Sequence, residues 1–258
     1  MSPRTIDVNA DVGESFGRWT LGEDEALIPL LSSANVACGF HAGDPTVIDE
    51  TVARCARYQV VVGAQPGYPD LQGFGRRAMA LTPREVEQAV LYQIGAVAAF
   101  CRAHGVSLGY VKPHGALYHA AAGEAAIAAA IARAVRRFQP GLALVGPAGS
   151  VTFAAAAAQE GLPFIPEAFA DRRYLPDGTL QPRSVVGSLI TDPAEAAQQA
   201  LSIARDGVVT AVDGQPVALS ARTLCFHGDT PGAPAIVRAA RTLLEAHGIT
   251  IRAFAGAE

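Results

Sequence analysis

The chain has 258 residues, of which 50% are hydrophobic and 17% are charged. This composition supports a sizeable buried core and excludes an intrinsically disordered protein, which needs low hydrophobicity and high net charge. Twenty Lys and Arg residues against 24 Asp and Glu residues give a net charge of -4, so the chain lacks the positive charge typical of a nucleic-acid-binding protein.

The N-terminal residues, apolar segments and cysteines indicate the compartment. Residues 1–14 contain charges where a signal peptide requires an apolar stretch of about 7 to 15 residues. The later apolar segments 120–135 and 151–158 are rich in alanine and do not supply the ~20 lipophilic residues of a membrane span. No C-x-x-C pair occurs among the cysteines, which are Cys38, Cys55, Cys101 and Cys225. We expect a cytoplasmic protein with reduced thiols and no membrane partner.

Short β-branched segments alternate with helical segments, and this alternation predicts βα units around a parallel sheet. The predicted strands are Thr5–Asn9, Ala34–Ala37, Val60–Gly63, Leu108–Lys112, Leu142–Gly146, Phe164–Glu167 and Thr223–His227. An eighth candidate strand spans Ile249–Phe254. No internal repeat or linker interrupts the chain, so we expect one α/β domain over residues 1–258, built as a barrel or as an open sheet.

Three helix starts carry a capping oxygen followed by proline at the first helical position: Asp44-Pro45, Thr82-Pro83 and Thr230-Pro231. Thr82 to Glu85 also matches the capping box. Apolar residues at helical spacing from Val86 to Cys101 predict a helix face that packs on the sheet. Val208 to Leu219 predicts a hairpin, because Asp213-Gly214 separates two β-prone halves.

Polar residues follow six of the predicted strands. The carboxyl ends of parallel strands share one face of an α/β fold, and that face carries the active site. We therefore expect one cavity lined by Asn9, Asp11, His41, Lys112, His114, Glu167, Asp171, His227 and Asp229.

The histidines fall into two groups. His104 and His247 each precede a glycine that would end a helix, which predicts a position at a negative helix C-terminus. His41, His114 and His227 follow strands beside glycines, and we expect them to act as acids, bases or metal ligands.

Lys112 is the one lysine among the 20 Lys and Arg residues. A compact ammonium at a strand end stabilises negative charge in a small space that a guanidinium does not fit. We expect that its removal lowers turnover about 10²- to 10³-fold and leaves thermal stability unchanged. The chain contains no G-x-x-x-x-G-K-[ST], G-x-S-x-G or H-E-x-x-H motif, which excludes a P-loop ATP site and the common serine-hydrolase and zincin sites.

Six motifs together resemble the LamB/YcsF family: D-V-N-A-D-V-G-E-S-F-G, S-S-A-N-V-A-C-G-F-H-A-G-D-P, G-Y-P-D-L-Q-G-F-G-R-R, Y-V-K-P-H-G-A-L-Y, P-E-A-F-A-D-R-R-Y and H-G-D-T-P-G-A. They run in order from Asp7 to Ala233. The resemblance implies a seven-stranded (β/α) barrel related to the glycoside hydrolase and polysaccharide deacetylase barrels. One position departs from the family pattern G-A-H-P-G-Y-P-D, because Gln65 stands in place of its histidine.

The resemblance also implies an activity, which is the opening of the lactam of 5-oxo-L-proline (pyroglutamate) to L-glutamate with hydrolysis of ATP. The implied partners are the B and C subunits of 5-oxoprolinase. ATP is the implied cofactor. The resemblance leaves open whether a divalent metal such as Mg²⁺ is bound and whether the chain forms a homo-oligomer.

Roles follow from this resemblance as hypotheses. The catalytic candidates are Asp11, His41, Lys112, His114 and Glu167, which would hold a divalent ion or position the attacking water. The substrate-binding candidates are Asn9, Arg76, Arg77, Asp171, Arg172, His227 and Asp229. Either Arg76 with Arg77 or Arg172 with Arg173 would hold the substrate carboxylate.

Two alternatives stay open at this point. A metal-dependent deacetylase or amidase acting on a carbohydrate-like substrate would use the same barrel rim without ATP or partners. A catalytically silent subunit that only binds partners would tolerate changes at Lys112 and His114.

Overall fold

The computed structural model describes residues 4–255. Its strands are β1 (Thr5–Val12), β2 (Ser33–Ala37), β3 (Val61–Gln65), β4 (Leu108–Val111), β5 (Ala143–Pro147), β6 (Phe164–Phe169), β7 (Val208–Thr210), β8 (Pro216–Ala218), β9 (Thr223–Phe226) and β10 (Thr250–Ile251). Strands β1 to β6 and β9 are parallel neighbours, and β9 pairs back to β1. The predicted seven-stranded barrel is therefore confirmed.

Helices surround this barrel. They are α1 (Asp24–Leu27), α2 (Pro45–Tyr58), α3 (Pro83–Ala103), α4 (Gly115–Gly123), α5 (Ala125–Phe138), α6 (Val151–Gln159), α7 (Pro193–Asp206) and α8 (Ala233–Ala246). The predicted apolar stripe of α3 is buried from Val86 to Cys101. Across the described residues, no single helix is long and apolar enough to cross a membrane, and only α4 with α5, a pair bent by 117°, passes that test together.

The first two predicted helix starts are confirmed by their hydrogen bonds. The Asp44 carboxylate accepts from the backbone N–H groups of Thr46 and Val47 at the start of α2. At the start of α3, Thr82 and Glu85 form the reciprocal capping box.

The third predicted start, Thr230-Pro231, is wrong, because α8 begins at Ala233 after Gly232 with a φ of 77°. Turns occupy this segment instead: the Thr230 N–H donates to the His227 carbonyl, and the Ala233 N–H donates to the Thr230 carbonyl. Pro234 supplies the proline of the first helical turn.

Two other local predictions are confirmed. Strands β7 and β8 pair in antiparallel fashion as the predicted hairpin. His104 and His247 are the C-terminal capping residues of α3 and α8. The eighth predicted strand is shorter than expected, because β10 pairs only with the first residues of β1 and lies outside the barrel. All four cysteines are buried free thiols.

The barrel interior changes from apolar to polar along its axis. Tyr110, Val145 and Ile165 form an apolar cluster against which Phe254 packs. Gly63 is required beside it, since a Cβ there would lie 2.2 Å from the Tyr110 ring. The Tyr110 hydroxyl begins the polar part by donating to Asn35 Oδ1 at 2.7 Å.

Polar side chains of neighbouring strands then bond to one another. Asn35 donates to Asn9 Oδ1 at 2.7 Å and to Asp11 Oδ1 at 2.8 Å, while Asn9 donates to Thr223 Oγ1 at 2.6 Å. Below them, the Asp7 carboxylate accepts from Ser33 at 2.7 Å. This network fixes the side chains beneath the carboxyl ends of the strands, and buried polar groups that are satisfied in this way specify one arrangement.

Candidate active site

A cavity of about 360 Å³ opens at the carboxyl ends of the barrel strands. Strands β1, β3 and β6, helix α4 and the loops after β3, β4, β6 and β9 contribute side chains to it. The polar and aromatic residues at its wall include Asp11, Gln65, Arg76, Lys112, His114, Tyr118, His119, Phe169, Arg172, Arg183 and His227.

The Lys112 ammonium lies at the base of this cavity with 2% of the residue exposed. Its Nζ is 3.1 Å from Asp11 Oδ1, 3.0 Å from Glu167 Oε1 and 2.9 Å from Cys225 Sγ. Burial disfavours the charged form, but Asp11, Cys225 and Glu167 outweigh it and hold the pKa of Lys112 well above its usual value. Lys112 is therefore a fixed positive charge.

The two carboxylates beside Lys112 differ in their surroundings. Burial opposes ionisation of Asp11, but neighbouring positive charge, above all the Lys112 ammonium, outweighs it and holds the pKa of Asp11 well below its usual value. Burial raises the pKa of Glu167 in spite of Lys112. Tyr118 donates to Glu167 Oε2 at 3.0 Å. Asp11 is thus the ionised acceptor that faces the cavity.

His41 and His114 stack in parallel, with ring centroids 3.9 Å apart and an interplanar angle of 5°. His114 Nε2 lies 2.9 Å from the Phe74 carbonyl, to which only a protonated nitrogen can donate. Burial lowers the pKa of His114 to about 4, and burial together with His114 lowers the pKa of His41 well below its usual value. Both imidazoles are therefore neutral at neutral pH.

His227 is held in place by Asp171. One Asp171 oxygen accepts from the His227 backbone N–H at 2.8 Å, and the other lies 2.9 Å from Nδ1 of the ring. The His227 ring also stacks on Phe169 with centroids 5.4 Å apart. Asp171 thus orients a histidine that lines the cavity, while Asp171 itself lies behind it.

Three guanidinium groups reach the cavity from the loops after β3 and β6. Arg76 donates to Asp229 Oδ2 at 2.6 Å, and Arg183 Nη1 lies 3.6 Å from the same oxygen. Arg172 is 3% exposed, and its Nη2 donates to the Gln181 carbonyl at 2.6 Å. Its buried Nε has no hydrogen-bond partner among residues 4–255. Burial and Arg183 lower the pKa of Arg172 to about 10, which marks an excess of positive charge on this wall.

The expectation that nine residues line one cavity is correct only in part. Five of the nine do not line this cavity. Asn9 bonds to Glu167, His41 stacks on His114, Asp171 holds His227 and Asp229 pairs with Arg76. Glu167 pairs with Lys112 and lines an adjoining cavity.

The structure separates the two members of each predicted arginine pair. Arg77 binds Asp70 within its own loop, and its side chain is 64% exposed. Arg173 pairs with Glu195 at 2.7 Å. Neither Arg77 nor Arg173 lines the cavity, because each pairs with a carboxylate outside it.

Sequence reasoning missed Glu14 and Arg183. Glu14 is 6% exposed and approaches His114, with its Oε1 3.9 Å from Nδ1. Its signal was the D-V-G-E motif, since Gly13 has a φ of 69° that turns the chain directly after β1. Arg183 lies in a long loop after β6 where no local pattern predicts its position.

The geometry defines an α/β barrel with a charged cavity at the carboxyl ends of its strands, the usual place for the active site of a barrel enzyme. The family model described as LamB/YcsF matches residues 6–258, and the chain belongs to this family.

Similar proteins cover almost the whole chain. A protein of Chloroflexus aggregans, named as the A subunit of 5-oxoprolinase, is 55% identical over 96% of this chain and 98% of its own length. A protein of Methylococcus capsulatus with the same name is 56% identical over 98% of this chain and 97% of its own. The crystal structure of a lactam utilization protein from Thermus thermophilus matches with a TM-score of 0.92 and 52% identity, covering 97% of this chain and 100% of that one.

A remote likeness concerns the fold alone. The structure of T48 deacetylase with substrate matches with a TM-score of 0.50 and 14% identity, over 97% of this chain and 88% of that one. This confirms that the chain shares its fold with a deacetylase barrel.

The contacts of Lys112 predict that its removal lowers stability, which differs from the expectation drawn from the sequence. Lys112→Met should lower the free energy of unfolding by roughly 3–5 kcal/mol, because it leaves Asp11 and Glu167 buried without a cation. Arg133→Met is the matched control, since Arg133 pairs with Glu87 on the surface and should cost no more than about 1 kcal/mol. Urea unfolding measures both, and equal costs for the two variants would contradict the structural role of Lys112.

Proposed function

We propose that this chain is the A subunit of an ATP-dependent 5-oxoprolinase, a hydrolase that opens the lactam of 5-oxo-L-proline to L-glutamate. The observation that carries this proposal is the identity of 55% and 56% to two proteins named as the A subunit of 5-oxoprolinase, over nearly the whole length of both chains. The charges in the cavity support it, because they match the groups of this substrate.

The substrate has a carboxylate and a cyclic amide. In the net reaction, water adds to the ring carbonyl carbon, the C–N bond breaks, and the ring nitrogen takes a proton to become the amino group of glutamate. The reaction therefore needs an anchor for the carboxylate, a positive charge near the carbonyl oxygen and an acceptor for the water.

The guanidinium wall, formed by Arg76, Arg172 and Arg183, is the proposed anchor. Arg172 has a buried, unbonded Nε among the described residues, and Arg76 and Arg183 add charge beside it. Arginine binds a carboxylate through two parallel N–H groups, which fixes orientation as well as position.

Lys112 and Asp11 are the proposed reacting pair of charges. The Lys112 ammonium, fixed by its carboxylate partners, stabilises negative charge that develops on the amide oxygen. Asp11 Oδ2 and His114 Nδ1 lie 4.0 Å apart and face the water that attacks the carbonyl. His227, oriented by Asp171, is the proposed donor of the proton that the ring nitrogen takes when the C–N bond breaks.

ATP hydrolysis would supply the driving force, because the opening of a five-membered lactam is poorly favoured and water attacks such an unactivated amide slowly. The chain has no P-loop, so we propose that the B and C subunits complete the nucleotide site. The deacetylase alternative shares the barrel but makes no use of the guanidinium wall, and it predicts activity without ATP.

The isolated chain should release little or no glutamate from 5-oxoproline, with or without ATP. Mixing it with the B and C subunits and ATP should produce glutamate and inorganic phosphate together, measured by coupled assays for both products. Full turnover by the isolated chain would contradict the proposed requirement for the B and C subunits. Absence of turnover from the complete mixture, with release of acetate from an acetylated oligosaccharide by the chain alone, would favour the deacetylase.

Arg172→Met should raise the KM for 5-oxoproline in the assembled enzyme by at least about 30-fold, since loss of a buried charge partner costs ~2 kcal/mol or more. The turnover number should change less. Arg173→Met is the matched control, because the neighbouring Arg173 is exposed and bound to Glu195. Steady-state kinetics with melting curves test this, and an unchanged KM in folded Arg172→Met would remove Arg172 from the carboxylate anchor.

A further inference from the structure

Gln65 is a buried amide without a hydrogen-bond partner at the wall of the cavity. The residue ends β3 and is 0% exposed, and neither its Oε1 nor its Nε2 has a partner among residues 4–255. Buried polar groups are nearly always hydrogen-bonded, so an amide with both atoms unbonded requires an explanation. Neither the proposed carboxylate anchor nor the proposed reacting charges use this side chain.

A second buried glutamine shows how such an amide is satisfied elsewhere in the chain. Gln93 Oε1 accepts from the backbone N–H of Gly67 at 2.9 Å, and Gln93 Nε2 donates to the carbonyl of the same glycine at 2.9 Å. One carboxamide thus bonds to one N–H and one C=O that lie side by side. Gln65 presents the same two groups, and no group in the described chain bonds to them.

Strand β3 directs the Gln65 side chain into the barrel, toward the cavity. Alternate residues of a strand point to the same side, and Gly63 faces the interior, where a Cβ would meet the Tyr110 ring. Gln65 is the next residue on this side, and it lines the cavity together with Lys112. The two residues are neighbours on adjacent strands, because the Lys112 backbone N–H donates to the Ala64 carbonyl at 3.0 Å.

The neighbouring imidazole of His41 does not satisfy this amide. His41 lies next to Gln65 in the wall, but neither of its ring nitrogens meets hydrogen-bond geometry with any group in the described chain. No hydrogen bond therefore holds the Gln65 amide in place, and a change of its side-chain torsions lets it turn to meet a group in the cavity. A group that satisfies both of its atoms has to carry a donor and an acceptor side by side.

A five-membered lactam carries this pair of groups. The ring holds the amide in the cis form, so the N–H and the C=O lie on one edge. In 5-oxo-L-proline this edge matches the carboxamide of Gln65, because the lactam N–H can donate to Oε1 while Nε2 donates to the lactam oxygen. A carbonyl oxygen has two lone pairs, so the second lone pair stays free to face the Lys112 ammonium.

We propose that Gln65 recognises the amide edge of the lactam and selects a ring amide over a ring ester. This inference rests on the proposed function, because it names a contact of the proposed substrate. A ring ester has no N–H, so it would leave Gln65 Oε1 buried without a donor. Gln65 stands where the family pattern has histidine, so the contact is a property of this chain.

The test compares two ligands that differ only at one ring atom. They are 5-oxo-L-proline and 5-oxotetrahydrofuran-2-carboxylate of the same configuration, in which oxygen replaces the N–H. The chain assembled with the B and C subunits and a non-hydrolysable ATP analogue should bind the lactam about 10- to 100-fold more tightly by calorimetry, since an unsatisfied buried acceptor is costly. Equal affinities for the two ligands would overturn the proposal.

Gln65→Met is the matching variant, because methionine has a similar length and neither the donor nor the acceptor. It should lower the ratio of the two affinities at least about 10-fold by weakening lactam binding. The melting temperature should stay unchanged, because no hydrogen bond within the described chain is lost. Gln88→Met is the control, since Gln88 is exposed on α3. An unchanged ratio, or a fall in melting temperature that shows a structural role for the amide, would overturn the proposal.

The result for Gln65 can be separated from the result for the proposed function. Glutamate formation with ATP by the same wild-type preparation tests the function. If glutamate forms and the affinity ratio does not depend on Gln65, the contact is wrong and the proposed function stands. If the preparation neither binds the lactam nor forms glutamate, both are wrong.

Discussion

One ammonium inside the barrel ties four strands together at their carboxyl ends. Lys112 follows β4, and its three nearest acceptors belong to β1, β6 and β9. Two of these acceptors are the carboxylates of Asp11 and Glu167, and each would be costly to bury without a cation. An arrangement in which Lys112 turns outward would leave both unpaired and is therefore excluded. A guanidinium would not fit the same space, which gives a physical reason for a single lysine in a chain otherwise supplied with arginine.

The charges around this ammonium divide the cavity into two unlike walls. Arg76, Arg172 and Arg183 give one wall an excess of positive charge, while Glu14 and its neutral histidines leave the other short of a cation. An anionic substrate group is suited to the first wall. Fixed charges of this kind do not have to reorganise during a reaction, which is how preorganised sites lower a barrier.

Much of this arrangement could be predicted from local sequence signals. β-branched segments located all seven barrel strands, and polar residues just after them located most of the site, because parallel strands must present the same end. Contacts between distant residues were beyond such reasoning. Arg77 and Arg173 were misplaced because their partners are Asp70 and Glu195, and Glu14 was missed because its significance depends on two histidines that follow other strands.

A double-mutant cycle at Lys112 and Glu167 tests most directly whether the buried ammonium organises the barrel. The cycle compares Lys112→Met, Glu167→Gln and the double variant by urea unfolding. If the two groups compensate each other, the double variant should be more stable than the sum of the single effects allows, with a coupling free energy of about 2–3 kcal/mol. Effects that add to within about 0.5 kcal/mol would contradict the account, because they would show that the two charges are stabilised independently.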